Sequence, residues 1–259
     1  MEKTPQRTVL ITGASDGIGF ALAGVFGVHG YRVIAVGSNK ARLRQAQEEL
    51  QQQGFEVVTL VQDLAVSESA KAVAEFLGRS GVTVDVLVNN AGYATFGAFS
   101  KNDYDTETRE MQLNMVTLTQ LTKLLLPAMI RRGSGRILNI SSMAAFYPGP
   151  YMAVYYATKA YVLHLSEALA IELKGTGVSV TALCPGPTQT GFAKRAGLSS
   201  SRMFSRTLPT ARDVAESGYS GLVAGKRVVV PGRKNQVTVF MARFVPRSWI
   251  LAKLAKLQE

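Results

Sequence analysis

Tyr155 and Lys159 stand four residues apart in Tyr155-Tyr156-Ala157-Thr158-Lys159, and Ser142 precedes Tyr155 by thirteen. On a helix, residues i and i+4 share a face about 5 to 6 Å apart, so the Lys159 ammonium can lie beside the Tyr155 phenol. A tyrosine titrates near pH 10 in water. A neighbouring cation favours the phenolate and lowers that value, and each unit is worth about 1.4 kcal/mol. The expected chemistry is proton transfer by an acidified phenol. Tyr156, three residues before Lys159, meets the same helical criterion, and the spacing alone leaves both phenols open.

A second constellation lies near the start, where Thr12-Gly13-Ala14-Ser15-Asp16-Gly17-Ile18-Gly19 follows an apolar run and opens the helical pattern Phe20 to Val28. Glycines permit a tight turn and close approach of the backbone to a pyrophosphate, and a helix N-terminus adds unpaired N–H groups and a positive dipole. Gly13, Ser15, Asp16, Gly17, Ile18 and Gly19 are therefore candidate dinucleotide-binding residues. The spacing differs from the commoner Gly-x-Gly-x-x-Gly fingerprint, and a plain strand-to-helix turn is the competing reading. In dinucleotide folds an acid about 20 residues on grips the adenosine ribose and discourages a 2′-phosphate. Here that place reads Val36-Gly37-Ser38-Asn39-Lys40. With no acid there, and with Ser38, Asn39 and Lys40 able to bond a phosphate, NADP(H) is expected over NAD(H). Against this stand Asp16 inside the loop and a Ser where an Arg is often found.

Positioning these groups requires alternating strands and helices. Candidate strands run Thr8 to Thr12, Arg32 to Val36, Glu56 to Val61, Val84 to Val88, Arg136 to Ile140, Ser179 to Leu183 and Arg227 to Val230. Their continuous apolar character suits strands covered on both faces. Helical segments are expected at Lys40 to Gln53, Ser67 to Gly78, Thr106 to Arg132 and Met152 to Lys174. Ser67 reads as an N-cap, Gly54 and Gly175 as C′ glycines, and Pro127 as a kink. The expectation is an α/β fold, a single Rossmann-type doubly wound parallel sheet of about seven strands with helices on both faces. No repeat or linker divides residues 1–259, which read as one domain.

The chain has 47% apolar and 18% charged residues, enough for a sizeable core and unlike a disordered segment. One cysteine, Cys184, excludes an internal disulfide or a Cys-based zinc cluster. His29 and His164, the two histidines, lie far from any Cys or carboxylate cluster, so no metal is expected. The first residues lead into the first strand without an apolar signal segment, and no apolar run is expected to approach the roughly 18 residues of a membrane span. A cytoplasmic setting is expected. Net charge is +11, and Lys226 to Glu259 hold eight Lys or Arg against one acid. A solvated face is the ordinary reading of such a segment.

Thr-Gly-Ala-Ser-x-Gly-Ile-Gly, Asp63, Asn89-Asn90-Ala91-Gly92, Asn114, Ser142, Tyr155-x-x-x-Lys159 and Pro185-Gly186-Pro187-Thr188, in this order, resemble the short-chain dehydrogenase/reductase family, in its NADP-dependent carbonyl and ketoacyl reductase-like branch. The resemblance runs from residue 8 to about 192 and implies a Ser-Tyr-Lys-Asn reaction centre on a nicotinamide-binding fold. It favours Tyr155 over Tyr156 and Ser142 over Ser141. It implies that Tyr155 exchanges the substrate's proton, Lys159 lowers the Tyr155 pKa and holds the nicotinamide ribose, Ser142 holds the substrate oxygen, and Asn114 anchors a proton-relay water. For Asn114, simple satisfaction of helix backbone is the alternative. Asp63 and the backbone of Leu64 would hold the adenine, and Asn90, Ala91 and Gly92 would pass beside the adenosine ribose. Pro185, Gly186 and Thr188, with Thr190, would border the nicotinamide.

By the same resemblance the substrate pocket is built from Tyr93, Met143, Tyr147, Met152, Phe192, Met203 and Phe204, the last three in or beside a lid at about 190–210. Phe96, Ala144 and Phe146 adjoin them. This lining favours an apolar or bulky carbonyl compound, with a β-ketoacyl thioester as a second class that Lys194, Arg195 or Arg202 could meet through phosphate. A cofactor-binding regulator without catalysis is a third reading, weakened by the complete reaction centre. Relatives commonly pair through the two long helices, implying a homodimer or homotetramer. In the basic segment at about 233–259, Ile250, Leu251, Leu254 and Leu257 share a helical face. Its occupant is open between the chain's own domain, the commonest case, a dimer contact and a peripheral membrane surface. No nucleic-acid-binding module is recognisable.

Overall fold

The computed structural model describes residues 6–198 and 208–258. Strands β1 (Thr8–Thr12), β2 (Arg32–Gly37), β3 (Val57–Val61), β4 (Val86–Asn89), β5 (Gly135–Ile140), β6 (Val178–Leu183) and β7 (Val228–Val229) form one parallel sheet in the order β3-β2-β1-β4-β5-β6-β7. All seven lie within two residues of the sequence expectation at either end. Their apolar continuity follows from double coverage. Val9 and Ile11 pack to one face with Leu22 and Phe26 of α1 (Gly17–Val28) and Val214 and Leu222 of α8 (Ala211–Val223). Leu10, between them, points to the other face.

That second face is covered by α3 (Ser69–Arg79), α5 (Leu118–Arg131) and α6 (Ala153–Glu172), through Val73, Leu121, Met129 and Leu169. The remaining helices are α2 (Lys40–Gln52), α4 (Tyr104–Met111), the short α7 (Phe192–Arg195), α9 (Arg233–Met241) and α10 (Arg247–Gln258). The strand order reverses between β1 and β4, and in such sheets a crevice opens there beyond the carboxyl ends of the strands.

Three details differ from the sequence reading. The helix expected to span Thr106 to Arg132 is α4 and α5 joined through a π turn at Gln112–Thr117, a register change that apolar periodicity does not reveal. The whole stretch Tyr104–Arg131 is long and apolar enough to cross a bilayer by length and composition. In this fold it flanks the sheet, with Leu121 and Met129 in the core. The N-cap of α3 is Glu68, in the left-handed region at φ 64°, rather than Ser67.

Candidate active site

The loop after β1 and the loop after β4 are tied together by side chains that the strand ends deliver. Thr12 Oγ1 accepts from the amides of Asn90 and Ala91 at 2.9 and 3.0 Å. The Asn90 amide group donates to the carbonyls of Thr12 and Gly13 at 2.9 and 3.0 Å. Two glycines make this junction possible. Gly13 holds φ +66°, and a Cβ on Gly19 would overlap the Gly13 carbonyl and the Asn90 side chain. Asp16 is the N-cap of α1 but makes no side-chain cap bond, which leaves the first-turn amides available to an anion.

The two loops floor a cleft of about 510 Å³. Of the candidate dinucleotide residues, Gly13, Ser15, Asp16, Gly17, Ile18, Ser38, Asn39, Asp63, Leu64, Asn90, Ala91, Gly92, Tyr155, Lys159, Pro185, Gly186, Thr188 and Thr190 line it. Gly19 and Lys40 do not. Gly19 is a packing glycine under the turn, and Lys40 is the exposed first residue of α2. Asn39 caps α2 by accepting from the Arg42 amide at 2.9 Å. Among the substrate-pocket candidates, Tyr93, Met143, Tyr147, Met152 and Phe192 line the same cleft. Met203 and Phe204 lie outside the described residues.

Proton chemistry centres on α6. Ser141 is buried and donates to the Lys159 carbonyl at 2.8 Å, pinning the end of β5 to the helix. Ser142, one residue on, lines the cleft and accepts from the Ala144 amide at 3.1 Å. Tyr156 is buried in an apolar cluster, whereas Tyr155 is half-buried and has its ring 5.5 Å from that of Phe192. Lys159 Nζ lies 5.7 Å from the Tyr155 ring centroid and donates to the Ile140 carbonyl at 2.9 Å. Burial pushes the Tyr155 phenol up to about 12, against a hydrogen bond from Ser142 that favours the phenolate. Its direction is opposite to that expected from the Tyr-Lys spacing. Burial also lowers Lys159 to about 8, partly countered by Glu110.

Asn114 sits in the π turn. Its amide group donates to the Tyr93 carbonyl at 3.0 Å and to Thr158 Oγ1 at 3.1 Å, and its oxygen accepts from the Tyr93 amide at 3.3 Å. The side chain thus fixes the loop after β4 to α6. Gly92 runs beside it: a Cβ there would come within 2.9 Å of Asn114 Oδ1 and 3.4 Å of Lys159 Nζ. The Asp63 carboxylate accepts from the Ala65 amide at 2.9 Å and from Arg109 at 2.6 Å. Burial opposes its ionisation, but these two partners hold its pKa below the ordinary value.

Two residues of the site, Arg42 and Glu110, escape sequence reasoning, and Arg195, read as a contact for a substrate phosphate, has a partner within the chain. Arg42, on the first turn of α2, lines the cleft and lies 3.6 Å from Asp16. Arg195 of α7 also pairs with Asp16, so the acid in the loop has two cationic neighbours. Glu110, fully buried one turn before Asn114, accepts from the Thr95 amide at 2.8 Å through Oε2, while Oε1 has no hydrogen-bond partner. Burial raises Glu110 to about 7, against its Thr95 contacts and the Lys159 charge. The helical spacing of Glu110 and Asn114 was a usable signal. The partners of Arg42 and Arg195 come from the fold.

Comparison with known proteins agrees with this architecture. Residues 7–199 match the family model described as short chain dehydrogenase. The ketoacyl reductase HetN of Nostoc sp. is 30% identical over 249 residues, covering 96% of this chain and 82% of that protein. A short chain dehydrogenase of Pseudocercospora fijiensis is 33% identical over 185 residues, and the chain spans 60% of its length. A solved short-chain dehydrogenase from Sphingobium yanoikuyae in complex with NADPH is 32% identical, with a TM-score of 0.82 over 92% of this chain and 94% of that one. The bulky-bulky ketone specific alcohol dehydrogenase from Comamonas testosteroni is 28% identical, with a TM-score of 0.78 over 93% of both chains. The chain belongs to the short-chain dehydrogenase family. It is an oxidoreductase, and the solved relatives include NADPH complexes.

Proposed function

We propose that the chain is an NADP(H)-dependent carbonyl reductase for bulky, apolar ketones or aldehydes, with Tyr155 as the proton donor. The observation that carries the reading is the convergence of Ser142, Tyr155 and Lys159 on one cleft that is glycine-floored at its dinucleotide end and apolar around Tyr147, Met152 and Phe192. The residues present fit a dinucleotide. The open first turn of α1 suits its pyrophosphate, Asp63 and Leu64 its adenine, and Lys159 its nicotinamide ribose. Ser38 and Arg42 suit a 2′-phosphate, since β2 ends without an acid and Arg42 is a cation facing the cleft. A bound nicotinamide supplies or accepts the hydride.

In the reduction direction, Ser142 orients the carbonyl oxygen through its hydroxyl, and Tyr155 donates its proton to that oxygen as negative charge develops there. A phenol at about 12 is fully protonated at neutral pH, the form a proton donor needs. The raised value keeps Tyr155 in the protonated form from which carbonyl reduction starts. Lys159 stabilises the phenolate left behind. Asn114 holds the Tyr93 backbone and Thr158 in place beside Lys159, and Tyr155 regains its proton from solvent through the open cleft.

A β-ketoacyl thioester is the second substrate class. It is favoured by the near full-length similarity to a protein named as a ketoacyl reductase and by Arg195, which lines the cleft. Self-association through α4, α5 and α6 belongs to the same reading, supported by exposed Met111, Val116, Leu124, Tyr161 and Ile171 on those helices and the turn between them. So does a cytoplasmic setting, in keeping with the buried thiol of Cys184. The test is a panel of ketones, aldehydes and β-ketoacyl thioesters assayed in parallel with NADPH and NADH. The expected result is NADPH-dependent turnover that improves with apolar bulk. Absence of turnover with every compound, or a preference for NADH, contradicts it.

A further inference from the structure

The segment from α9 to the start of α10 turns an apolar stripe toward solvent. Val237, Phe240 and Met241 recur at i, i+3 and i+4 on one face of α9, Phe244 follows in the turn after it, and together with Trp249 they are 50 to 72% exposed. The Phe240 and Phe244 rings meet edge to face with centroids 5.3 Å apart. The opposite side of α9 already has its partners. Val239 is buried, and Asn235 donates to the Pro231 carbonyl at 2.8 Å while lining the cleft next to Gly186. On α10, Leu254 packs into the cluster of Ala94, Ala144 and Met152. The face singled out in the sequence, with Ile250, Leu251 and Leu254, is thus half-buried in the chain's own domain. The uncovered stripe is a different one.

Charge decides what fits it. Arg233, Lys234, Arg243 and Arg247 surround the stripe, all exposed, and no acid occurs from Lys226 to Gln258. The ion pairs among the described residues involve none of these four. A second copy docked about a twofold axis would set this single-sign patch against itself. Aromatic and aliphatic side chains ringed by cations match an anionic lipid surface, where apolar groups enter the headgroup boundary and cations meet phosphates.

We propose that the α9–α10 face docks on anionic membrane. Docking would set the inner side of α9, and with it the Asn235 wall of the cleft, close to the lipid from which an apolar carbonyl compound partitions. This consequence rests on the substrate reading above, but the docking itself does not.

The test is co-sedimentation of the full chain, without substrate, with vesicles of phosphatidylcholine plus phosphatidylglycerol and with vesicles of phosphatidylcholine alone. Binding is expected to the anionic vesicles and to weaken with salt. It should fall roughly tenfold or more both in Phe240→Ser/Phe244→Ser and in Arg243→Gln/Arg247→Gln. Turnover of a water-soluble ketone, retained in both double variants, shows that they fold. No sedimentation with either vesicle, or binding unchanged in both variants, overturns the proposal. So does a parent that ignores vesicles but loses oligomer mass in Phe240→Ser/Phe244→Ser, which assigns the face to a second copy. Vesicle binding by a parent that turns over no carbonyl compound supports docking and contradicts only the enzymatic reading.

Discussion

At the scale of single residues, the site is governed by burial more than by the pairing of Tyr155 with Lys159. Burial keeps the phenol protonated and holds the lysine near the edge of its charged range, at about 12 and about 8 respectively. The reduction rate should therefore fall as pH rises through about 8, where Lys159 loses the charge proposed to stabilise the phenolate left on Tyr155. A pH–rate profile checks this, with Lys159→Met expected to be slower and to lack that limb. Glu110 supports the Lys159 charge, so Glu110→Gln should move the same limb to lower pH, a shift that a merely structural role would not produce. Stability offers an independent readout. The folded value of Glu110 is raised from 4.5 to about 7, so its contribution is fully present below pH 4.5 and is lost as pH climbs through 7, on the order of 3 kcal/mol. Denaturant midpoints should show this decline in the parent between those values, and Glu110→Gln, which keeps an acceptor for the Thr95 amide, should flatten it. The direction of these shifts was not legible in the sequence, because Tyr-x-x-x-Lys specifies proximity and says nothing of how much protein surrounds the pair.

At the scale of elements, legibility was high for strands and uneven for helix ends. The seven strands stand out because runs such as Thr8–Thr12 and Val178–Leu183 are apolar on both faces, and only a sheet covered twice accepts that pattern. Gly54 was readable as a terminator, and it takes φ +86° directly after the cap of α2. Gly175, at φ +82°, falls one residue later than a C′ position. The π turn was not readable, since a change from i+4 to i+5 bonding leaves the apolar spacing nearly intact. The start of α2 shows the same limit within the site. Ser38, Asn39 and Lys40 were apparent as a stretch without acid, but which cation faces the cleft depends on where the helix begins. With Asn39 as cap, Lys40 points away and Arg42 comes round to the cleft. Arg42→Ala should then raise the KM for NADPH by roughly 10- to 100-fold, the worth of a charge-assisted phosphate contact, while leaving that for NADH nearly unchanged. Steady-state kinetics with the two cofactors measures it, and an equal effect on both would place Arg42 outside phosphate recognition.

At the scale of the whole molecule, one parallel sheet brings residues from the first loop to α6 into a single cleft, and two of its outer surfaces are left apolar. The α4–α5–α6 surface carries Leu124, Ile130 and Ile171 at 40 to 46% exposure. If copies pair there, Leu124→Arg should lower the mass seen by light scattering toward that of a monomer, whereas an unchanged mass would move the interface elsewhere. The proton that reaches the substrate oxygen is proposed to come from Tyr155. Single-turnover reduction of a bulky apolar ketone by the NADPH-loaded parent and by Tyr155→Phe tests it most directly. The expected rate is lower by about 10²- to 10⁴-fold in the variant, with cofactor binding retained. A variant as fast as the parent would show that the proton comes from another group and would contradict the assignment of Tyr155.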